Sequence, residues 1–478
     1  MAAGQEHGPE PQCCVVTGTA GGSRRSALRK LISVVGPGTL LDKLNPSCQD
    51  LPAEISDGRQ ASMKRGRKRM RWLSVVVVGM ALTSCGQQKQ SMTAPASEHA
   101  NKILMAHYMP WYTTPAVSGQ WSGHWTGFQS QHHPDQTTTN GLPDIWSHYH
   151  PLIGLYDSSD PDLLECHLLQ MKLAGIDGVL ADWYGIGETA DFPTIHKATS
   201  ALFDACGRFG MKFAVCYEDR TVKLMIDWNK LQPDQITNHL ARTMQWLQQE
   251  WFTKPQYLQF NGRPLLLDFG PIYLTDRTVW DAAFKTIPQR PSFYALHHLW
   301  KKAGGDGGFT WIHYDPWEGT PTEETIRARI HEVFTYFSTN PAEVIVSAYP
   351  GFDDDYDQHL RPLAYRGGKT LQETLEVGME GPWPLIQLVT WNDYGEGTMI
   401  EPTHEFGYTF LEIVQQARRK EMGQAFTFTA DDLRLPARLY ALRKKGSVPA
   451  AELDRISQLL NQGACSEARR LLDAQEKM

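Results

Sequence analysis

Short apolar runs alternate with amphipathic stretches along most of this chain. Ile103-Leu-Met-Ala-His107-Tyr108 reads as a buried strand. Asp160-Pro161-Asp162 then opens a helix, with Asp160 as N-cap and Pro161 in the first turn. Leu163, Leu164, His167, Leu168, Met171 and Leu173 recur at helical spacing up to Gly175. The same alternation continues: strands are expected at 178–184, 212–219, 263–269, 292–297, 308–311, 343–349 and from 384, with helices at 192–209 and near 236–251. Strands joined by helices make a parallel sheet, and about eight strands in about 320 residues predict a (β/α)8 TIM barrel. It is placed over 102–430. From 431 to 478, leucines at helical spacing predict two or three amphipathic helices, a small extension packed on the barrel.

The first hundred residues follow another pattern. Residues 1–62 show no period able to bury a face. Met63-Lys-Arg-Gly-Arg-Lys-Arg-Met70-Arg71 precedes an apolar run, Trp72 to Leu82, too short to span a bilayer well. The run ends in Leu82-Thr83-Ser84-Cys85-Gly86, which resembles a bacterial lipobox and implies cleavage before Cys85 and its lipidation. The expectation is translation from Met63 or Met70, a signal peptide over 63–85 and a polar tether over 86–101. The product would be exported to a bacterial cell envelope and touch membrane only through its lipid.

Composition narrows the function. A net charge of −7 makes a nucleic-acid surface a poor fit. The eight cysteines show no C-x-x-C pair and no zinc or disulfide spacing. Fifteen tryptophans are many, and tryptophan is a common platform for sugar rings.

The expected strands end in polar and aromatic residues: Tyr108 with Trp111 and Tyr112, Asp182 with Trp183 and Tyr184, Glu218, Asp268, His297, Trp311, Tyr349, and Trp391-Asn392-Asp393-Tyr394-Gly395-Glu396. In a barrel these ends share one face, which carries the chemistry. The long segment after the first strand adds His124 and Trp125. Asp393 and Glu396, three residues apart on one loop, bring two carboxyl groups to one cavity, the minimum equipment for splitting a glycosidic bond. Trp111, Tyr112, Trp125, Trp183 and Trp391 are expected to stack on or wall the sugar, and Tyr349 to hold a ring hydroxyl. No Gly-rich phosphate loop precedes a helix. The acidic run 353–357 lacks the glycine of a calcium loop, and His297 and His298 read as structural. An acid pair implies no metal and no cofactor, only an oligosaccharide or polysaccharide substrate.

Tyr108-Met-Pro-Trp111-Tyr112, His124-Trp125, Leu155-Tyr-Asp157-Ser-Ser-Asp160-Pro161, Gly178-Val-Leu-Ala-Asp182-Trp183-Tyr184, Tyr349-Pro-Gly-Phe, Arg366-Gly-Gly-Lys369 and Trp391 to Pro402 together resemble glycoside hydrolase family 99 over about 103–412. That family comprises endo-acting α-mannosidases and α-mannanases on a (β/α)8 barrel. Its signature loop Asn-Glu-Trp-His-Glu-Gly implies that Asp393 and Glu396 stand at its two catalytic glutamates. The wording Trp-Asn-Asp-Tyr-Gly-Glu is similar to family 71, the fungal α-1,3-glucanases. The resemblance implies a glycoside hydrolase of 71/99-like type acting on an α-mannoside or α-glucan, Glu396 as acid and Asp393 as base. A sugar-binding lipoprotein with a degenerate barrel is the alternative, motivated by Asp393 standing where family 99 has Glu.

Overall fold

The structure is a computed structural model describing residues 101–312, 322–356 and 362–477. Residues 1–62, the basic and apolar stretch ending at Cys85, and the tether to residue 100 lie outside the described residues. Eight parallel strands close on themselves: β1 Ile103–Tyr108, β2 Gly178–Trp183, β3 Lys212–Tyr217, β4 Arg263–Asp268, β5 Ser292–Leu296, β6 Gly307–Phe309, β7 Val344–Ala348 and β8 Leu385–Leu388. Val215 pairs with Leu266 across β3 and β4, and Ile103 with Leu385 across β1 and β8, which completes the circle. The strands are buried on both faces, so they read as unbroken apolar runs rather than as alternation. A two-residue antiparallel strand, Gln259–Phe260, adds to the edge of β4.

Helix α1, Pro161–Ala174, starts where the sequence places it: the Asp160 carboxylate accepts the Asp162 amide at 3.0 Å. It ends at Gly175, whose φ of +85° is left-handed. Helix α2, Phe192–Phe209, turns Ile195, Leu202, Phe203 and Phe209 onto the barrel. Helix α3, Ile236–Leu247, runs on as a wider turn over Gln248–Phe252 that buries Trp251 and Phe252. Helices not foreseen include Arg220–Asp227, α4 Arg277–Phe284, α5 Glu323–Phe337, α6 Lys369–Glu380 and α7 Thr409–Met422. β6 is only three residues long. A side chain at Gly307 would meet the Glu343 carbonyl at 2.4 Å, and one at Gly308 would meet His297 Cα at 2.5 Å.

Three further helices, α8 Leu435–Lys445, α9 Ala450–Asn461 and α10 Cys465–Glu476, follow the barrel. α8 docks on α1: Arg443 grips Glu165 with two hydrogen bonds of 2.5 and 2.9 Å, and Lys444 reaches Asp160 and Asp162. Leu439, Leu442, Leu453, Ile456, Leu460 and Leu472 form the buried seam beneath.

Candidate active site

β8 delivers the chain into the loop 389–401, which folds back on itself above the barrel mouth. The Thr390 amide donates to the Thr398 carbonyl at 2.8 Å, and the Ile400 amide to the Thr390 carbonyl at 2.9 Å. Inside this bend the Asp393 amide donates to Thr390 Oγ1, and the Glu396 amide donates to Asp393 Oδ1 at 3.0 Å. Two glycines are structural necessities. A Cβ on Gly395 would lie 1.9 Å from the Tyr356 ring, and Gly397 takes a φ of +64°. Asn392 bolts the loop to the end of β1. Its Oδ1 accepts the Met109 amide at 2.8 Å, and its Nδ2 donates to the Met109 carbonyl and to Tyr156 Oη. The acidic run is the loop's other brace: the Asp353 amide donates to the Glu396 carbonyl and the Asp355 amide to the Gly395 carbonyl.

Burial dominates the electrostatics. It pushes the Asp393 carboxyl up to about 7, against the hydrogen bonds its anion receives from the Glu396 and Gly395 amides. Glu396 is driven well above the carboxylate range by burial, then by Asp393 and Asp354. The Trp311 indole N–H, 3.4 Å from Glu396 Oε2, opposes the rise. A second acidic pair faces the first. Asp182 is raised by burial and then by Glu218, with Arg220 pulling the other way and Asp393 adding to the rise. Burial brings Glu218 to about 7 against the attraction of Arg220, whose Nη2 is 3.8 Å from Glu218 Oε2. Asp182 Oδ1 and the Arg220 Nε and Nη1 atoms are buried without a hydrogen-bond partner among the described residues. Burial lowers His107 to about 4, which leaves it neutral beside Trp311.

The model of a family described as glycosyl hydrolase family 99 matches residues 99–291. Glycoprotein endo-alpha-1,2-mannosidase of Mus musculus is 23% identical over 383 residues, covering 73% of this chain and 79% of the mouse protein. This chain is a glycoside hydrolase similar to family 99. The mouse glycoprotein endo-alpha-1,2-mannosidase-like protein is 24% identical over 331 residues, covering 62% of the hydrolase and 69% of that relative. The solved GH99 endo-alpha-mannosidase of Bacteroides thetaiotaomicron shares the fold, with a TM-score of 0.50 at 18% identity over 66% of this chain and 96% of that one. The family match ends at residue 291, so the loop carrying Asp393 and Glu396 lies beyond it.

Within the hydrolase the expected site residues divide sharply. Asp182 lies within electrostatic reach of Glu218 and Asp393, and Glu396 of Asp393 and Glu218, with Tyr184 near Asp182 and Glu218. Trp111 and His124 stack in parallel at 4.1 Å, and His124 Nδ1 is 3.5 Å from Tyr356 Oη. Burial lowers His124 to about 3, so this imidazole is neutral. The other aromatic expectations are corrected. Trp183 is fully buried and packs on Trp246, Trp251 and His196. Adjacent barrel residues point to opposite sides, so an inward Asp182 forces Trp183 outward. Trp391 is buried against His167, and Trp125 against Tyr112 and Tyr156, so none of the three tryptophans offers a face to a sugar. Tyr112 and Asn392 are braces: Tyr112 Oη donates to the Asn392 carbonyl and accepts the Tyr394 amide. Tyr108 lies behind the site, 3.0 Å from His167, which in turn reaches Glu401 at 3.1 Å. Tyr349 is buried, with its backbone tied to Thr374 of α6. Sequence reasoning missed Arg220, His107, Asp354 and Tyr356, and placed Trp311 on the site's face without giving it a role. Only Trp311 carried a local signal, as an aromatic at a strand end.

Proposed function

We propose that this hydrolase cuts internal α-linkages of a mannose-containing glycan, with Glu396 as the acid and Asp393 as the base. The observation that carries the assignment is the unequal pair of carboxyls on one loop. Asp393 receives amide hydrogen bonds that favour its anion, whereas burial and the neighbouring Asp393 charge both favour the protonated form of Glu396. An ionised Asp393, held by its amide bonds, keeps the proton on Glu396, the division that acid–base cleavage requires. The Glu396 proton goes to the glycosidic oxygen as its bond to C1 breaks. Asp393 takes a proton on the attacking side, from water that adds to C1, or from the sugar's 2-hydroxyl, whose oxygen then closes on C1 and is later opened by water. The first route inverts the anomeric centre. The second, which the resemblance to family 99 implies, retains it.

The names of the mouse relatives support mannose at the cleaved bond and an internal cut. The Trp391-Asn392-Asp393 wording supports an α-glucan as the second substrate class. Incubation with α-mannan and with α-1,3-glucan, followed by product sizing and NMR of the new reducing end, tests the reading. Short oligosaccharides from mannan are expected. Products from glucan alone would replace the substrate, and no new reducing ends from either would sink the proposal.

We also propose export to a bacterial cell envelope with lipid on Cys85, on the strength of the basic segment, apolar run and Leu-Thr-Ser-Cys. Mass spectrometry of protein expressed from Met63 tests this, and an unmodified Cys85 thiol refutes it.

A further inference from the structure

Among the described residues, the large apolar side chains most open to solvent are Phe128 at 57%, Val117 at 45% and Tyr336 at 40% exposed, the last two on separate helices and Phe128 just after a third. Phe128 stands apart because its ring is held in place. It follows the short helix Gly123–Thr126, and Gly127 turns the chain with a φ of +74°. The ring lies over Gly123, where a Cβ would come within 2.6 Å of Phe128 Cδ1. Two further rings meet it edge-on, His124 at 5.1 Å and 80° and Trp146 at 5.3 Å and 88°. A surface phenylalanine fixed by a glycine floor and two aromatic walls, and still more than half open, presents a ring surface of set orientation to water.

Packed rings connect that surface to the carboxyl loop. Trp146 meets Tyr356 edge-on at 4.7 Å, and His124 also reaches Tyr356. Tyr356 lies directly on Gly395, between Asp393 and Glu396. One intervening ring thus links Phe128 to the residue that packs on the carboxyl loop. A lone ring is too small for a protein interface, for which apolar patches of several hundred Å² are the mark. The apolar C–H face of a pyranose matches it in size, and an enzyme that cuts inside a chain must hold units on either side of the bond.

We infer that Phe128 is an outer sugar subsite, stacking on a pyranose of the glycan remote from the bond that is cut. The inference rests on the glycan-cleaving function proposed above. Its test is binding and turnover of α-1,2-linked manno-oligosaccharides of two to six units by wild type, Phe128→Ala and Phe128→Trp. Wild-type affinity should rise with length. Phe128→Ala should lose about 3- to 10-fold in Kd and KM on the long members, the range of one aromatic stack. It should match wild type on the disaccharide, keep its melting temperature and be rescued by Phe128→Trp. Equal effects at every length, no effect at any length, or a wild type whose binding is absent or does not depend on length would each overturn the subsite. Length-dependent binding lost in Phe128→Ala, with no turnover by wild type, would sustain the subsite and refute the hydrolytic reading instead.

Discussion

Replacing Asp393 by Asn should stabilise the folded protein, and only at high pH. Burial lifts this carboxyl from its ordinary 3.8 to about 7. A group whose pKa is raised by folding contributes stability that is complete below its unfolded pKa and lost as pH rises through its folded one. The wild type therefore forfeits that contribution between about pH 4 and pH 7, as Asp393 ionises inside the barrel. A rise of about three pH units at about 1.4 kcal/mol each is on the order of 4 kcal/mol at pH 8. Asn keeps an amide oxygen for the Glu396 N–H and has no charge to bury. Urea unfolding of both proteins at pH 4.5 and pH 8 is the assay. The gain should be near zero at pH 4.5 and a few kcal/mol at pH 8. A gain that is the same at both values, or a loss at pH 8, would refute the claim that Asp393 is a carboxylate held at a cost to stability.

The same burial sets the pH dependence of turnover. Asp393 must be ionised and Glu396 protonated, so kcat/KM should climb through an acidic limb near pH 7 and fall only where Glu396 ionises; full activity at pH 5 in a pH–rate profile would exclude Asp393 as base. Asn392→Ala removes the bolt between the loop and Met109 and leaves a buried amide and carbonyl without their partner. It should cost about 2–5 kcal/mol in unfolding experiments and lower kcat far more than it changes KM; unchanged stability would contradict the bracing role.

The barrel was legible because its strands are short apolar runs and α1 and α2 carry plain start and stop signals. α5 was hidden by its charge: Ile326, Ile330, Val333, Phe334 and Phe337 form its buried stripe, but glutamates and arginines dilute it. α7 buries Arg418, which donates to Gly175, Lys102, Asp177 and Glu421, so a core position looked like a surface one. At the site, residue types were readable and directions were not. Asp182 beside Trp183 looked like one acidic, aromatic wall, although the two-residue period of a strand sends them to opposite sides. Asp354 and Tyr356 could not be found locally. What places them is a backbone pairing between 353–355 and 395–396, two segments some forty residues apart in sequence. A shallow hollow at the other end of the strands, lined by Lys212, Tyr257, Gln259 and Pro264, is remote from every one of these groups.

The central claim is that Glu396 supplies the proton, and leaving-group dependence of Glu396→Gln tests it most directly. Gln keeps the size and the hydrogen-bonding shape but holds no acidic proton. On an unactivated α-mannoside the rate should fall by roughly 10²–10⁴-fold. On an aryl α-mannoside whose leaving oxygen needs little protonation it should fall much less. Asp393→Asn, acting on the attacking side, should slow both substrates alike. Wild-type rates for Glu396→Gln on the unactivated substrate, or equal losses on both substrates, would contradict the assignment.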